Sequence, residues 1–215
     1  MKKALLIGAA PLDSNEFINY FKKDEFTLIA IDGGYEYCIQ NQIVPDILVG
    51  DFDTFPENKV GPVNQIIMLN PIKDDTDTFY IIKKLINEGY EEFYIFGCLG
   101  GKLDHTIANI QILRYLTNMH KKAYLFEKDK VLFSLSDESI SFSDKARGFI
   151  SIFSLSNSAC TTIKGLKYNV TKFKIDNDIP IGISNEFIGT SSSIEIQNGA
   201  VILYTNCTNL YSINN

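Results

Sequence analysis

Pro45-Asp46-Ile47-Leu48-Val49-Gly50-Asp51-Phe52-Asp53-Thr54 is the stretch on which the fold turns. An apolar, β-branched strand stops at a glycine and delivers two carboxylates one residue apart. In an extended chain, side chains two apart point the same way, about 6.5 Å from each other. Two like charges held that close repel unless a cation or a shared proton intervenes. A divalent metal at the C-terminal end of a strand satisfies this, and open α/β sheets bind their ligands at that end. A solvated acidic turn is the plain alternative for an isolated Asp-x-Asp, which is short and common.

Working outward, residues up to about 125 alternate strand and helix. Ala4–Ile7, Leu28–Ile31, Ile47–Val49, Gln65–Leu69, Glu92–Phe96 and Ala123–Phe126 read as strands. Between them, Ser14 caps a helix whose Phe17, Ile18 and Phe21 face the core. A second helix covers Tyr35–Asn41. A third opens at Thr76 or Asp77, with Phe79, Ile82 and Ile86 at helical spacing, and ends at Gly89. A fourth spans Asp104–Asn118, with Ile107, Ile110 and Leu113 on one face. Strands separated by helical patterns of about 10–15 residues predict βαβ units and a mainly parallel sheet with flanking helices.

After about residue 128 the helical period disappears. Gly148–Leu155 is a near-continuous β-prone run. Ser193–Gln197 alternates, turns at Asn198-Gly199 and returns as Ala200–Tyr204, the pattern of a tight hairpin. The expected organisation is an α/β domain over residues 1–127 and an antiparallel β-sandwich over residues 128–215.

The 215 residues suffice for a substantial core. A net charge of -6 argues against nucleic acid as a partner, since phosphate backbones select basic surfaces. Cys38, Cys98, Cys160 and Cys207 are widely separated, so neither a zinc knuckle nor a disulfide framework is suggested. Reduced thiols and a cytoplasmic location follow as the expectation. Lys2-Lys3 followed by apolar residues faintly imitates a signal peptide. The run breaks at Pro11 and Asp13, so it reads as a buried first strand. Nothing approaches the roughly 20 apolar residues of a membrane span.

Four polar clusters fall where strands of the first half end. Asp32-Gly33-Gly34 allows a ligand to approach backbone N–H groups closely, or is an ordinary tight turn. Asp51 and Asp53 form the second. Lys73-Asp74-Asp75-Thr76-Asp77 is the third. Acids also suit a helix N-terminus, but capping explains one or two of them better than three beside a lysine. The fourth is Gly97-Cys98-Leu99-Gly100-Gly101-Lys102-Leu103-Asp104-His105. Free N–H groups and the helix dipole make a phosphate cradle, to which Lys102 adds a mobile charge. It is not a P-loop, because Gly-x-x-x-x-Gly-Lys-Ser/Thr is absent. His105 reads as a hydrogen-bonding residue rather than a ligand, because the carboxylates form a hard-oxygen set that favours Mg²⁺ over zinc. Together the clusters suit Mg²⁺-assisted transfer of a phosphoryl or diphosphoryl group.

Taken in order, these motifs resemble the thiamine pyrophosphokinase (thiamine diphosphokinase) family. They are Asp-Gly-Gly at 32–34, Gly-Asp-Phe-Asp-Thr at 50–54, Lys-Asp-Asp-Thr-Asp at 73–77 and Gly-Gly-Lys-Leu-Asp-His at 100–105. Gly165-Leu166-Lys167-Tyr168 and Ile183-Ser184-Asn185-Glu186-Phe187 look like the family's closing motifs. On their own, these two would read as turns and core strand. The resemblance implies a Rossmann-like α/β domain joined to a β-sandwich that binds thiamine and dimerises. It implies a homodimer with thiamine between subunits, and transfer of a diphosphoryl group from ATP to the thiamine hydroxyl with release of AMP. Asp51, Asp53 and Asp77 would be Mg²⁺ ligands supported by Asp74. Asp32, Gly33, Gly34, Thr76, Gly100, Gly101, Lys102, Asp104 and His105 would contact the nucleotide. Lys73, Ser184 and Asn185 would lie nearest thiamine. Rival readings are a haloacid-dehalogenase-like phosphatase and a non-catalytic thiamine or nucleotide sensor. The first wants its Asp-x-Asp after the first strand. The second has little need for a costly carboxylate cluster.

The sequence departs from the family pattern in three places. Lys102 stands where arginine is usual, Thr54 stands where serine is common, and there is no tryptophan to stack on thiamine. Lysine keeps the charge and loses the planar fork. Lys102→Arg is therefore expected to keep or improve activity, whereas Lys102→Ala raises the nucleotide KM or lowers kcat. Steady-state kinetics check both, and unchanged kinetics for Lys102→Ala remove this residue from the site.

Overall fold

The computed structural model describes residues 1–12, 25–52, 60–72 and 74–207. The helix expected from Ser14, with Phe17, Ile18 and Phe21, lies outside the described residues, as do Lys73, Asp53 and Thr54. The chain divides into two compact units, Met1–Lys128 and Asp129–Asn215.

In the first unit, β1 (Lys2–Ile7), β2 (Thr27–Ile31), α1 (Gly34–Gln40), β3 (Ile47–Gly50), β4 (Gln65–Met68), α2 (Asp77–Asn87), β5 (Tyr90–Phe96), α3 (Leu103–Asn118) and β6 (Lys122–Glu127) follow one another. The strands are ordered β4-β3-β2-β1-β5-β6 and pair in parallel throughout. Parallel strands covered on both faces must be apolar at nearly every position. Ala4, Leu6, Ile7, Ile29, Ala30, Val49 and Phe93 are accordingly sealed. The strand order reverses between β1 and β5, since β1 leads outward to β2 on one side while β5 leads to β6 on the other. Strand-end loops diverge at such a switch point and leave a crevice.

Three of the polar clusters, at 32–34, 73–77 and 97–105, run into helix starts. Thr76 caps α2 by accepting a hydrogen bond from Phe79 N at 3.1 Å. The buried stripe of α2 is Ile81, Ile82 and Leu85, so of the expected Phe79, Ile82 and Ile86 only Ile82 belongs to it. Phe79 instead meets Tyr115 edge-on, with ring centroids 4.9 Å apart. In α3 the buried stripe is Asn109, Ile112, Leu113, Leu116 and Thr117, so of the expected Ile107, Ile110 and Leu113 only Leu113 belongs to it. Ile107 is 51% exposed. The cause is that two buried positions are polar and satisfied locally: Thr117 Oγ1 donates to Leu113 O at 2.7 Å and Asn109 Nδ2 to Cys98 O at 2.7 Å. A hydrophobicity pattern cannot register such positions.

The second unit contains β7 (Lys130–Ser136), β8 (Ser139–Phe142), β9 (Phe149–Ser154), β10 (Ser158–Lys164), β11 (Val170–Asp176), β12 (Asn185–Glu186), β13 (Ser192–Gln197) and β14 (Ala200–Thr205). Within it the orders are β12-β9-β14-β7 and β11-β10-β13-β8, with antiparallel pairing. The predicted hairpin at Asn198-Gly199 is corrected here. Its two strands do form, but β13 pairs with β10 and β8 while β14 pairs with β7 and β9. The turn is a corner between sheets. A second corner at 137–138 links β7 to β8, and Ile196 N donates to Glu138 O at 2.9 Å across the two. The physical reason lies in β14. Ala200–Leu203 is buried at every position, so it demands cover on both faces. β13 alternates buried Ser192, Ile194 and Ile196 with outward residues, as a one-sided strand does.

The start of α1 backs directly onto β1. A Cβ placed on Gly34 would lie 2.0 Å from Ile7 O, which no rotamer relieves because the obstacle is backbone. Gly34→Ala is expected to cost about 3 kcal/mol and to lower Tm by roughly 5–10 °C. Gly61→Ala, whose Cβ would meet only Tyr35 Oη at 3.4 Å, serves as the control with little change. Thermal unfolding followed by circular dichroism checks the pair.

Candidate active site

A cavity of about 570 Å³ opens at the C-terminal ends of the parallel strands, within the range of ligand sites. Four chain segments build it. Gly8, Ala9, Ala10 and Pro11 follow β1, Asp32 follows β2, Asp51 follows β3, and Gly97, Cys98, Gly101 and Lys102 follow β5. Ile31 at the end of β2, Pro71 after β4, Asp75, Thr76, Asp77 and Thr78 at the start of α2, and His105, Thr106 and Asn109 on α3 complete the lining.

The floor is a backbone lock. Gly8 N donates to Phe96 O and Ala10 N to Gly97 O, both at 2.8 Å. A Cβ on Gly8 would lie 2.5 Å from Gly97 O, and one on Gly97 2.4 Å from Gly8 O. Only glycines allow the two strand ends to run this close before their loops part. Cys98 lies against the same floor. Burial pushes its thiol up to about 12, although contacts with the Gly8 backbone and Thr78 oppose the shift. It stays a neutral thiol and is no nucleophile at physiological pH.

The acids arrive by separate routes. Asp32 has φ 45, a left-handed conformation that aspartate tolerates better than most residues. Its N–H donates to Val49 O at 2.7 Å, which ties the ends of β2 and β3 together. Asp75 is paired with Lys83 Nζ at 2.6 Å, so its charge is partly offset by α2 itself. Asp77 occupies the first turn of α2, where the helix dipole favours it. Phe52 has φ 60, strained for a bulky side chain. The backbone therefore leaves the extended form between Asp51 and Asp53, and the argument that an extended Asp-x-Asp shares one face does not hold there.

Of the sequence-selected residues, Asp32, Asp51, Thr76, Asp77, Gly101, Lys102 and His105 line this one cavity. Gly33, Gly34, Asp74, Gly100 and Asp104 are not among its lining residues. Gly34 is buried beneath Ile7 O, Gly33 precedes α1 as its cap, and Asp104 accepts from His105 N at 2.9 Å. Lys73 and Asp53 lie outside the described residues. In the second unit, the Asn185 amide is committed to backbone. Its Oδ1 accepts from Tyr168 N and its Nδ2 donates to Tyr168 O, at 2.9 and 2.8 Å. Ser184, at φ 56, donates its N–H to Ser151 Oγ at 3.0 Å. Sequence reasoning missed Gly8–Pro11 and Asn109. The glycine and proline just past the first strand were the available signal for the former. For Asn109 there was none, because the face read as buried in this helix, Ile107, Ile110 and Leu113, does not include it.

Chemically the cavity presents carboxylate oxygens on one side and Lys102, with the first turn of α3, on the other. Among the described residues no group of three or more His, Cys, Asp or Glu is drawn together for a metal. Asp51 and Asp77 nevertheless supply hard oxygens to one cavity with Asp32 and Asp75, a donor set that fits Mg²⁺.

The comparisons agree with this geometry. The family model for the thiamin pyrophosphokinase catalytic domain matches residues 18–125, and that for its vitamin B1 binding domain matches residues 138–203. The thiamine pyrophosphokinase of Bacillus subtilis is 27% identical over 190 residues, covering 84% of this chain and 87% of that protein. Thiamin pyrophosphokinase 1 of Caenorhabditis elegans is 23% identical over 215 residues, covering 93% and 86%. The crystal structure of the Bacillus subtilis enzyme shares the fold with a TM-score of 0.84 and 23% identity, covering 97% of this chain and 100% of that one. That of thiamin pyrophosphokinase from Candida albicans does so with a TM-score of 0.77 and 18% identity, covering 95% and 88%. Motifs, site and family models converge: the chain belongs to the thiamine pyrophosphokinase family of enzymes.

Proposed function

We propose that this chain transfers a diphosphoryl group from ATP to the hydroxyl of thiamine, giving thiamine diphosphate and AMP. The observation that carries the reading is the gathering of Asp51, Asp77, Lys102 and His105, from separate strand and helix ends, around one cavity. A phosphatase of the Asp-x-Asp type, or a sensor, has no call on that combination of acids and a phosphate cradle.

The thiamine hydroxyl oxygen attacks the β-phosphorus, the bond from that phosphorus to the α-phosphate oxygen breaks, and AMP leaves with the electron pair. Asp51 and Asp77, joined by Asp53, would hold Mg²⁺, which when bound offsets charge on the phosphate oxygens. Lys102 and the N–H groups at the start of α3 hold the phosphates in line. Asp51 or Asp77 accepts the hydroxyl proton as attack proceeds. Asp74 supports the acidic set from beside α2. Asp32, Gly33, Gly34, Thr76, Gly100, Gly101, Asp104 and His105 complete the nucleotide contacts. Most of the acceleration comes from positioning and charge neutralisation.

Residues 1–127 form in this reading a Rossmann-like nucleotide- and metal-binding domain, and residues 128–215 form a β-sandwich that binds thiamine and dimerises. Lys73, Ser184 and Asn185 lie on the thiamine side. Tyr168 takes the stacking role that tryptophan has elsewhere in the family. It is 59% exposed, yet Asn185 grips its backbone on both sides and Lys167 Nζ stands 5.6 Å from its ring centroid. A rigidly held aromatic face that tolerates a cation suits the cationic ring of thiamine. Exposed Phe173, Ile179, Ile183 and Ile188 of the same unit support a homodimer. No helix among the described residues is long and apolar enough to cross a membrane. The four free cysteines fit a reducing compartment, the cytoplasm.

Enzyme incubated with ATP, thiamine and Mg²⁺ is expected to form AMP and thiamine diphosphate in equal amounts, and chelation stops it. Asp51→Asn and Asp77→Asn each lower kcat by at least about 100-fold; near-normal turnover in both overturns the assignment. Tyr168→Ala raises the thiamine KM about tenfold and leaves the nucleotide KM unchanged. Steady-state kinetics with each substrate varied in turn checks this split.

A further inference from the structure

Asn109 is a polar side chain in the buried stripe of α3, only 8% exposed, and it lines the cavity. One arm is fixed. Cys98 O can only accept, so the arm facing it at 2.7 Å must be Nδ2. The opposite arm is then Oδ1, an acceptor. It takes no hydrogen bond from any described residue, and it is not among the sealed polar atoms. A buried acceptor held in one orientation and left open to a cavity is costly unless a ligand or water donates to it.

The chemistry of the open acceptor selects the donor. Phosphates bound at the start of α3 would repel this oxygen, having no hydrogen to give at neutral pH. The hydrogen-bond donors that a nucleotide carries belong to its nucleoside part. We propose that Asn109 Oδ1 accepts a hydrogen bond from the nucleoside of the bound nucleotide, a sugar hydroxyl or a base amine, and so sets nucleotide selectivity. This rests on the transferase reading for the identity of the ligand. Asn109 also keeps the loop that carries Gly101 and Lys102 in place through Cys98, a structural role that the test must separate from recognition.

The separation comes from a cycle of protein and ligand changes. KM for ATP, 2′-deoxy-ATP, 3′-deoxy-ATP and inosine triphosphate is measured with the unmodified enzyme and with Asn109→Ala. Binding of the matching α,β-methylene analogues is followed by calorimetry. One analogue is expected to bind about tenfold more weakly than ATP to the unmodified enzyme, the loss of a hydrogen bond to a buried group. That penalty should shrink to near onefold in Asn109→Ala, and the analogue identifies the donor. Equal penalties in both proteins, no penalty for any analogue, or a change confined to the thiamine KM overturns the proposal. If Asn109→Ala does not fold, Asn109→Ser replaces it in the same cycle with the unmodified enzyme. If that enzyme forms no AMP, the transferase reading fails while calorimetry continues to test Asn109.

Discussion

The site depends on two strand ends that touch backbone to backbone. Gly8 and Gly97 exchange close contacts that exclude a Cβ on either, and two hydrogen bonds of 2.8 Å clamp the exits of β1 and β5. Beyond the clamp the loops diverge, because the sheet order reverses between these strands. The crevice is thus a topological product, lined by whatever residues the loops carry. Here the loops carry acids on one side and glycine with lysine on the other.

That arrangement puts like charges near one another without letting them collapse. Asp32 is held by the backbone bond to Val49, Asp75 by Lys83, and Asp77 by the first turn of α2. The repulsion that remains is the driving force for taking up a cation. Phe52, strained at φ 60, marks where the chain beyond β3 leaves extension beside Asp51. Strain of this kind, about 1–3 kcal/mol, persists where the surroundings over-determine the backbone, and active sites are where it gathers.

Two residues show how a fold uses polar groups inside apolar layers. Asn109 and Asn185 are both buried, at 8% and 5% exposure, and each steadies a neighbouring loop by hydrogen bonds to its backbone. Asn185 gives both arms to Tyr168 and positions an exposed ring. Asn109 gives one arm to Cys98 and leaves an acceptor open to the cavity. Unlike a surface polar residue, neither can exchange its partners for water without loss.

The linear chain determined what local chemistry determines. Continuous apolar runs such as Ala4–Ile7, short and bounded by turn residues, read as strands covered on both faces. Helix-forming intervals between them force parallel pairing, and the family motifs place the acids and glycines at strand ends. Periodicity failed where a buried position is polar or where pairing depends on strands far away in sequence. The α3 stripe was misread because Asn109 and Thr117 are buried polar residues, bonded to Cys98 O and Leu113 O. Asn198-Gly199 looked like a hairpin, since a turn signal says that the chain reverses but not which strand each arm will pair with. The neighbours of β13 and β14 lie tens of residues away, and only they decide that the arms join different sheets. Likewise Gly34 could serve a ligand or a packing contact, and only the position of Ile7 O chooses the contact. Residue types and their order are local properties. Which groups share a cavity, and which glycine has no room for a side chain, depend on long-range approach and exist only in the folded molecule.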